Sequence, residues 1–366
     1  MINPTMKNVT IQSIHDELRM LWAAEAVTGD AVIRARTHNL IVAVSDNVSP
    51  TETTQRVIES TAERPGRVIV LDIEKETDKP LDAWVTTFCR TVNRHQLCGE
   101  VITLTVSWNR LADLYSAVTS LLAPDLPVYL WWTGSINLGN TFMSRLAQVS
   151  DRVIINLEDC ADLSVALPAL ATVANSYKMG DMAWIRLTTW RKLLAQIWDS
   201  PALHPALESI RTLDIHYSST SEPAHEARAV LLAGWLIDKL GWRIDMASRA
   251  QTGGLTVRFT RGQWQGKIEI METTEEASEP GEIVRIFVQA GSKPPFVMPR
   301  LELNAKQSTI ETRWNDGATT ARRAINTYQV VDDAVALVQE LDLGYDLDYQ
   351  HALHASAAIF ESLSRS

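Results

Sequence analysis

Cysteine is scarce in this sequence, and long apolar runs are absent from it. The 366 residues include 3 cysteines, and an odd, low count in a long chain does not make the disulfide framework of a small secreted protein. No apolar run reaches the roughly 18 residues that a membrane-spanning helix needs. The first residues, MINPTMKNVT, contain neither the charged nor the apolar segment of a signal peptide. We therefore expect a cytoplasmic protein that does not bind a membrane.

Positive charge is also in the minority. Lysine and arginine number 34 against 44 aspartates and glutamates, so the formal net charge is -10. Proteins that bind nucleic acid neutralise phosphates with clustered cations, and we expect no nucleic-acid partner here. With 46% hydrophobic and 21% charged residues, the composition is that of a folded protein, and the length fits two domains.

The motifs of several common enzyme classes are missing. The sequence has no GxGxxG dinucleotide fingerprint and no GxSxG nucleophile elbow. One weak phosphate-binding signal remains, the segment GSINLGN with Gly134 and Gly139 between a predicted strand and a predicted helix. Backbone amides of such a turn can hold a phosphate, although the Lys-Ser/Thr pair of a P-loop is absent. This turn carries one hypothesis, a sugar-phosphate- or nucleotide-binding α/β enzyme or sensor.

A metal site is not predicted. His351 and His354 would share one face of the last predicted helix with Asp348, and two imidazoles with a carboxylate could begin a metal site. No fourth ligand is evident, and adjacent turns of exposed helices often show such a pattern by chance. The sequence therefore predicts neither a metal nor a cofactor.

The first part of the chain alternates β-branched segments with amphipathic helices. Strands are predicted at Leu40–Val44, Val68–Ile73, Val101–Ser107 and Val128–Trp132, with a fifth inside DRVIINLED. Helices separate them, as at Leu111–Leu122. Five such strands predict an open parallel sheet with helices on both faces.

The second part of the chain has a different order of predicted helices and strands. After helices through Trp184 to Trp198 and Ala224 to Leu240, six strands follow without intervening helices, with glycine-containing turns between them. Helices are predicted again at Ala321–Leu341 and Tyr349–Leu363. The sequence predicts an α/β domain at 1–205 and an α+β domain at 206–366, whose sheet is a mainly antiparallel meander.

Cys89 and Cys98 are the closest pair of thiols. The segment through Trp84 to His95 is predicted to be helical, with Gly99 as the residue that ends the helix. If that helix continued to Cys98, about 13 Å would separate the two residues along its axis. A disulfide needs Cα atoms within about 7 Å, so it requires a helix that ends well before Cys98. We expect buried thiols.

Tryptophan is usually rare in proteins, but this sequence contains 12 of them. Trp131 and Trp132 are adjacent in a predicted strand, so their side chains point to opposite faces. Trp190 and Trp198 lie in one predicted amphipathic helix. Two interpretations stay open for all four: packing in the core, or binding of a partner protein, where indoles are enriched at energetic hot spots.

Four segments in register carry a resemblance to a known family. They are RTHNLIVAVSD, RPGRVIVLDIE, CGEVITLTVS and LLAPDLPVYLWWTG. In this order and spacing the chain resembles the glucose-6-phosphate dehydrogenase assembly protein family, OpcA, most strongly over residues 34–135.

The resemblance implies a function without catalysis. Members of the family bind the glucose-6-phosphate dehydrogenase oligomer, promote its active assembly and act as allosteric activators in the oxidative pentose phosphate pathway. Thioredoxin control is associated with the photosynthetic branch of the family. Because this chain has no cysteine after Cys160, such a switch would have to use Cys89, Cys98 and Cys160. The predicted helix disfavours a bond between the closest pair, Cys89 and Cys98, so we do not expect a thioredoxin-operated switch.

Overall fold

The structure is a computed structural model, and its described part is a set of segments. These are residues 7–26, 31–34, 37–44, 50–61, 64–74, 82–92, 95–107, 111–133, 141–201, 203–219, 226–250, 253–275, 277, 279–291, 296–315 and 321–365.

Strands and helices alternate at first and then segregate. The strands are β1 Lys7–Val9, β2 Ala31–Arg34, β3 Asn39–Val44, β4 Arg67–Glu74, β5 Asp82–Val92, β6 His95–Ser107, β7 Val128–Trp132, β8 Arg152–Ile155, β9 Met179–Asp181, β10 Ile210–Ser218, β11 Arg243–Arg249, β12 Leu255–Arg261, β13 Trp264–Thr273, β14 Ile283–Ala290, β15 Arg300–Asn304, β16 Thr309–Asn315 and β17 Ala321–Thr327. The α-helices are α1 Ile14–Ala26, α2 Pro50–Thr61, α3 Leu111–Leu121, α4 Thr141–Gln148, α5 Leu163–Ala174, α6 Met182–Arg186, α7 Thr188–Trp198, α8 Ala227–Leu240, α9 Asp333–Asp342 and α10 Leu347–Leu363.

The chain divides into two compact units, each built from several segments. The first unit comprises Met1–Asp159, Asn175–Met182 and Asp332–Tyr345, and the second comprises Cys160–Ala174, Ala183–Val331 and Asp346–Ser366. These units differ from a single cut after residue 205, because α5 and α7 belong with the second unit and α9 with the first.

The first unit is built on a mainly parallel sheet, as predicted. Its strand order is β1-β5-β6-β4-β3-β7-β8-β9, and β2 also pairs with β6. The strands from β6 to β9 in this order are parallel neighbours, whereas β5 and β1 extend the sheet in antiparallel fashion. Every residue of β3 is buried, as expected for a strand covered on both faces.

The helix predicted through Trp84 to His95 is wrong. This segment forms β5, which pairs with β6 over its whole length. Val85, Thr86 and Thr87 are β-branched and favour a strand. Gly99 does not end a helix but lies opposite Phe88, and a Cβ at residue 99 would fall 2.4 Å from the Phe88 ring. Glycine is required there because the ring occupies the space of its side chain.

Because the segment is a strand and not a helix, the expectation that Cys89 and Cys98 are free thiols is wrong. Cys89 and Cys98 are direct cross-strand partners with Cα atoms 4.1 Å apart, and they form a disulfide. That distance is near the roughly 4.5 Å of a non-hydrogen-bonded antiparallel pair. The bond therefore joins two strands that are already neighbours.

A buried ion pair lies at the centre of the first unit's sheet. Arg67 on β4 and Glu100 on β6 are register partners, and Arg67 Nε donates to Glu100 Oε1 at 2.5 Å. Their side chains are 5% and 0% exposed. Arg67 Nη1 donates to the carbonyl of Leu121 at 2.5 Å, and Trp22 Nε1 donates to Glu100 Oε2 at 3.0 Å. The pair therefore connects two strands with the end of α3 and with α1.

The second unit contains a mainly antiparallel sheet, again as predicted. Its order is β11-β12-β13-β10-β14-β15-β16-β17. The arrangement is not a simple meander, because β10 comes first in the chain and lies in the middle, parallel to β13 and antiparallel to β14. Two antiparallel groups, β11–β13 and β14–β17, flank it.

Two helix predictions in this part need correction. Residues 321–327 form β17 rather than the start of a helix, and α9 begins only after Asp332, whose side chain accepts from the Val335 amide at 2.8 Å. An aspartate in this role starts a helix by satisfying a free backbone donor. The predicted helix through Trp184 to Trp198 is two helices, α6 and α7. Among the described residues, no helix is long and apolar enough to cross a membrane.

We expect the disulfide to stabilise the first unit. Replacing both Cys89 and Cys98 by serine should lower the free energy of unfolding of the oxidised protein by about 2–3 kcal/mol, because a cross-link reduces the entropy of the unfolded chain. Urea denaturation measures the loss, and dithiothreitol-treated wild type separates loss of the bond from burial of two hydroxyls. Cys160→Ser is the control, since Cys160 is outside any disulfide. Equal stability of oxidised and reduced wild type would contradict the assignment.

Candidate functional site

The carboxyl ends of the parallel strands are the usual functional edge of an α/β sheet. At the end of β7, Thr133 is buried, and its backbone amide and hydroxyl donate to the Ala43 carbonyl at 3.0 and 3.1 Å. The hydroxyl is therefore held by the backbone of β3. Gly134 and Gly139 lie outside the described residues, so the phosphate-binding turn stays a prediction.

Two of the three residues considered for a metal site, His351 and Asp348, are used in contacts between helices. His351 Nδ1 lies 3.2 Å from Asp238 Oδ2, and Lys239 Nζ donates to Asp348 Oδ1 at 2.6 Å. These contacts join α10 to α8. In the described part of the chain, no group of three or more His, Cys, Asp or Glu side chains could hold a metal ion.

Three of the four candidate tryptophans are packed inside their units. Trp131 and Trp132 are each 4% exposed, and Trp190 is 1% exposed and lies against Tyr328, with ring centroids 6.3 Å apart. Trp131 and Trp132 point to opposite faces of a sheet, and both are buried. None of the three presents an indole for a partner to contact, so their burial favours packing over partner binding.

We expect these buried indoles to contribute to folding. Trp131→Ala and Trp132→Ala should each lower the free energy of unfolding by about 3–5 kcal/mol, the usual loss for a large buried aromatic side chain. Trp264→Ala on β13 is the control, because Trp264 is half-exposed, and its loss should be clearly smaller. Urea denaturation of the three variants side by side checks the order. A stable Trp131→Ala variant would restore the binding interpretation for that residue.

Trp198 belongs to a pocket in the second unit, which we call the indole pocket. The pocket has a volume of about 240 Å³, and its lining comes from α7, the following 3₁₀ turn, α8, the residue Trp242 between α8 and β11, and the strands β10 and β14. The lining residues are Leu194, Ala195, Trp198, Asp199, His204, Leu207, Ile210, Leu213, Trp235, Leu236, Lys239, Leu240, Trp242 and Val288.

Burial divides this lining into a floor, a wall and a rim. The floor is buried and apolar, and includes Trp198, Leu213 and Trp242. Trp235 and Leu236 form half-buried walls, whereas Asp199, His204 and Lys239 are exposed at the rim. An apolar floor with polar groups at its margin is the usual construction of a binding pocket.

The end of α8 places Trp242 in the floor. Gly241 has a φ of 61°, and the amides of Gly241 and Trp242 donate to the carbonyls of Asp238 and Ile237. This is a Schellman ending, in which glycine takes the left-handed conformation that other residues avoid. The chain turns back, and the Trp242 ring stacks on Phe259 with centroids 3.8 Å apart. The turn and the ring stack therefore set the position of Trp242 in the floor.

The pocket is suited to an apolar group rather than to catalysis. An engineered cavity of about 150 Å³ binds benzene, so 240 Å³ accommodates an aromatic or branched aliphatic side chain. The histidine and the two charged residues of the rim are exposed and stand at the mouth, where they can contact the polar surroundings of an inserted group.

A second feature lies on the other side of the same sheet, and we call it the open face. Along β10, Leu213 and Ile215 are buried on the helix side, whereas Asp214 points to the opposite side and is half-buried. The register aligns Asp214 with one side chain from each of five other strands. This central row reads, in spatial order, Glu269, Asp214, Phe287, Arg300, Arg313 and Arg323.

The open face separates negative from positive charge. Glu269 is on β13 and Asp214 on β10, and the three arginines follow on β15, β16 and β17. The arginine side chains are 43%, 57% and 60% exposed. Glu311 in the neighbouring row accepts from Arg313 and Arg323, and these bonds lower the pKa of Glu311 to about 2.

Among the acidic residues of the row, Asp214 is less well satisfied than Glu269, to which Lys267 Nζ donates at 2.6 Å. Burial raises the pKa of Asp214, and the nearby Glu269 raises it further. Asp214 Oδ1 is buried and accepts no hydrogen bond from the described residues. Arg300 Nε is likewise a buried donor without a described acceptor. Buried polar groups without partners cost free energy, and these two lie on either side of Phe287 in the middle of the row.

Sequence reasoning placed Trp198 among candidate residues but did not find the pocket or the open face. The alternation of Leu213, Asp214 and Ile215 is a visible strand signal. The row itself cannot be read from the sequence, because it depends on the register of six strands.

Comparison with known proteins assigns the family. A model described as the glucose-6-phosphate dehydrogenase subunit N-terminal domain matches residues 58–172, and one described as the C-terminal domain of that subunit matches residues 177–353. Together they cover most of the chain. The chain belongs to the OpcA family. The family that the four sequence segments indicated is thereby confirmed.

Curated relatives of the same family match this chain over only part of their length. The OxPP cycle protein OpcA of Synechocystis sp. (strain PCC 6803) is 29% identical over 185 residues, which are 50% of this chain and 38% of that protein. The protein of that name from Synechococcus elongatus (strain PCC 7942) is 27% identical over 200 residues, which are 54% of this chain and 44% of that protein. The chain therefore matches less than half the length of these relatives.

Solved structures with some likeness are oxidoreductases. KijD10, a 3-ketoreductase from Actinomadura kijaniata, gives a TM-score of 0.48 at 8% identity, over 90% of this chain and 97% of that one. The UDP-N-acetylglucosamine 3-dehydrogenase GnnA from Acidithiobacillus ferrooxidans gives 0.45 at 10% identity, over 91% and 99%. At these values the likeness carries no argument about function.

Proposed function

We propose that this chain is a non-catalytic partner of glucose-6-phosphate dehydrogenase, which it binds and activates in the oxidative pentose phosphate pathway. The observation that carries the proposal is the pair of family matches over residues 58–172 and 177–353, both described as domains of a glucose-6-phosphate dehydrogenase subunit. The sequence has no dinucleotide fingerprint, which agrees with a role outside hydride transfer.

The indole pocket is the docking site that we assign to the dehydrogenase. Binding energy in protein interfaces concentrates where a large apolar side chain enters a preformed, desolvated pocket surrounded by polar groups. The floor at Trp198 and Trp242 is apolar and fixed by the Schellman turn, and the rim carries Asp199, His204 and Lys239. We assign to the occupant an aromatic or aliphatic side chain projecting from the enzyme. This keeps Trp198, among the four predicted tryptophans, as a partner-binding residue.

Activation follows if the chain binds one conformation of the enzyme better than another. A partner shifts a conformational equilibrium by its difference in affinity for the two states, and coupling free energies of about 1–3 kcal/mol change ligand affinity by roughly 5- to 150-fold. Preference for the substrate-competent state of the dehydrogenase lowers its apparent KM without a catalytic group from this chain.

The function is tested with the two purified proteins. The chain alone should show no dehydrogenase activity, and added to the enzyme it should form a complex and lower the apparent KM for glucose 6-phosphate. Light scattering coupled to size exclusion measures the complex, and substrate saturation curves measure KM with and without the chain. Unchanged kinetics together with no complex would overturn the proposal. Turnover by the chain alone would favour the enzyme hypothesis at Gly134 and Gly139.

The docking site is tested by one charge placed in the pocket wall. Leu236→Asp should weaken the complex at least about tenfold, because a carboxylate enters an apolar contact. Val165→Asp on α5 introduces the same charge at a site that is 67% exposed, and it should leave the dissociation constant unchanged. Titration calorimetry and thermal melting are measured on both variants. Equal affinity of Leu236→Asp and wild type would place the docking surface elsewhere.

A further inference from the structure

The open face is large enough to be an interface. Eight strands spaced about 4.8 Å apart make it about 34 Å wide, and three rows of side chains make it about 20 Å high. The projected area of roughly 700 Å² is close to the approximately 800 Å² that each partner buries in a standard protein interface. Along the face, exposed or half-buried side chains include the apolar Phe287 and Ile325.

The charges of the central row are arranged symmetrically about one strand. β14 holds Phe287 in the row, and its neighbours on one side are Asp214 on β10 and then Glu269 on β13. Its neighbours on the other side are Arg300 on β15 and then Arg313 on β16. Two acidic and two basic side chains therefore lie at equal strand intervals from Phe287.

We propose that the open face binds a second copy of this chain through a twofold axis that runs along β14 in the plane of the interface. Such an axis brings each patch against its own symmetry mate, so the same surface must be self-complementary. Asp214 of one copy then lies over Arg300 of the other, and Glu269 over Arg313. Phe287 meets Phe287 on the axis.

The neighbouring row is compatible with this axis. His216 on β10 lies over Glu302 on β15 of the second copy, since these strands are exchanged by the twofold. Arg285 is the residue of β14 in this row and comes close to its own symmetry mate. Glu275 and Glu302 of the same chain are paired with it and offset its charge.

Pairing of the two copies would place opposite charges against each other across the interface. The Arg300 side chain is 43% exposed, so it can approach the Asp214 carboxylate of the second copy. Burial and the nearby Glu269 raise the pKa of Asp214, and an arginine of the second copy above it would lower that pKa again. Charged pairs desolvated in an interface provide register and specificity, while Phe287 supplies an apolar centre.

The dimer leaves the indole pocket free. Leu213 and Val288 line the pocket and are register partners on the helix side of β10 and β14, whereas Asp214 and Phe287 point to the open face. The proposed dimer does not depend on the function proposed above. If that function holds as well, a dimer carries two docking pockets and can join two dehydrogenase subunits.

The test uses charge reversal on the full chain, without the dehydrogenase. One variant carries Asp214→Arg and Glu269→Arg, and the other carries Arg300→Glu and Arg313→Glu. Wild type should sediment as a dimer at micromolar concentration. Each variant should dissociate at least about 30-fold more readily, because like charges meet across the axis. An equimolar mixture of the two variants should restore a dimer.

The mixture makes the result independent of damage to folding, since misfolded chains would not complement each other. Lys192→Glu on α7, an exposed residue outside the open face, is the control and should remain dimeric. Three results would each overturn the proposal: a monomeric wild type up to 50-fold above the expected micromolar range, a wild-type-like dimer in either variant, and a mixture that stays monomeric. The dehydrogenase assay is unaffected by any of these outcomes, so the two proposals fail separately.

Discussion

The Arg67–Glu100 pair is the constraint around which the first unit is organised. Both side chains are almost inaccessible to solvent, and each has further hydrogen bonds, to the end of α3 and from Trp22 of α1. A buried charge is tolerated only when its partners are complete, and removing one partner of such a pair typically costs about 3–5 kcal/mol. The register of β4 on β6 is therefore specified by charge as well as by apolar packing. β6 pairs with β4 on one side and with β5 on the other. The position of the β5–β6 hairpin, with its disulfide, therefore depends on the register of β6 on β4.

The second unit is organised by one strand with two chemically different sides. Alternate residues of β10 point into the helix layer, where Leu213 reaches the indole pocket, and onto the open face, where Asp214 joins the row of charges. A substitution on one side should have little effect on the other, since the backbone of the strand separates them. The two proposed interactions, with an apolar side chain of an enzyme and with a second copy of the chain, can therefore coexist in one domain of modest size.

The sequence predicts strands whose own residues are mostly apolar. It does not predict an element whose conformation depends on contacts with a distant segment of the chain. β3, β4 and β7 each contain a run of at least four apolar or aromatic residues, and their bounds are close to those predicted. The sequence predicts a helix for the β5 segment, in which Trp84, Val85 and Phe88 fit a helical spacing. Its strand conformation depends on a partner segment in which Gly99 leaves room for the Phe88 ring. Trp198 could be named from the sequence as a candidate, but its position in a pocket that α7 and α8 both line could not. The rows of the open face follow from strand register, which involves residues distant in the sequence.

The central position of β10 also has a consequence for the order of assembly. This strand emerges from the ribosome before every other strand of its sheet, yet it forms hydrogen bonds with β13 and β14, which are synthesised much later. Non-local pairing of this kind slows folding and leaves strand edges exposed to other chains in the meantime. A nascent chain halted before β14 would display β10 with one unpaired edge, whereas α8, made directly after it, can cover its apolar side. We regard this helix as an intramolecular shield during synthesis and as part of the pocket wall afterwards.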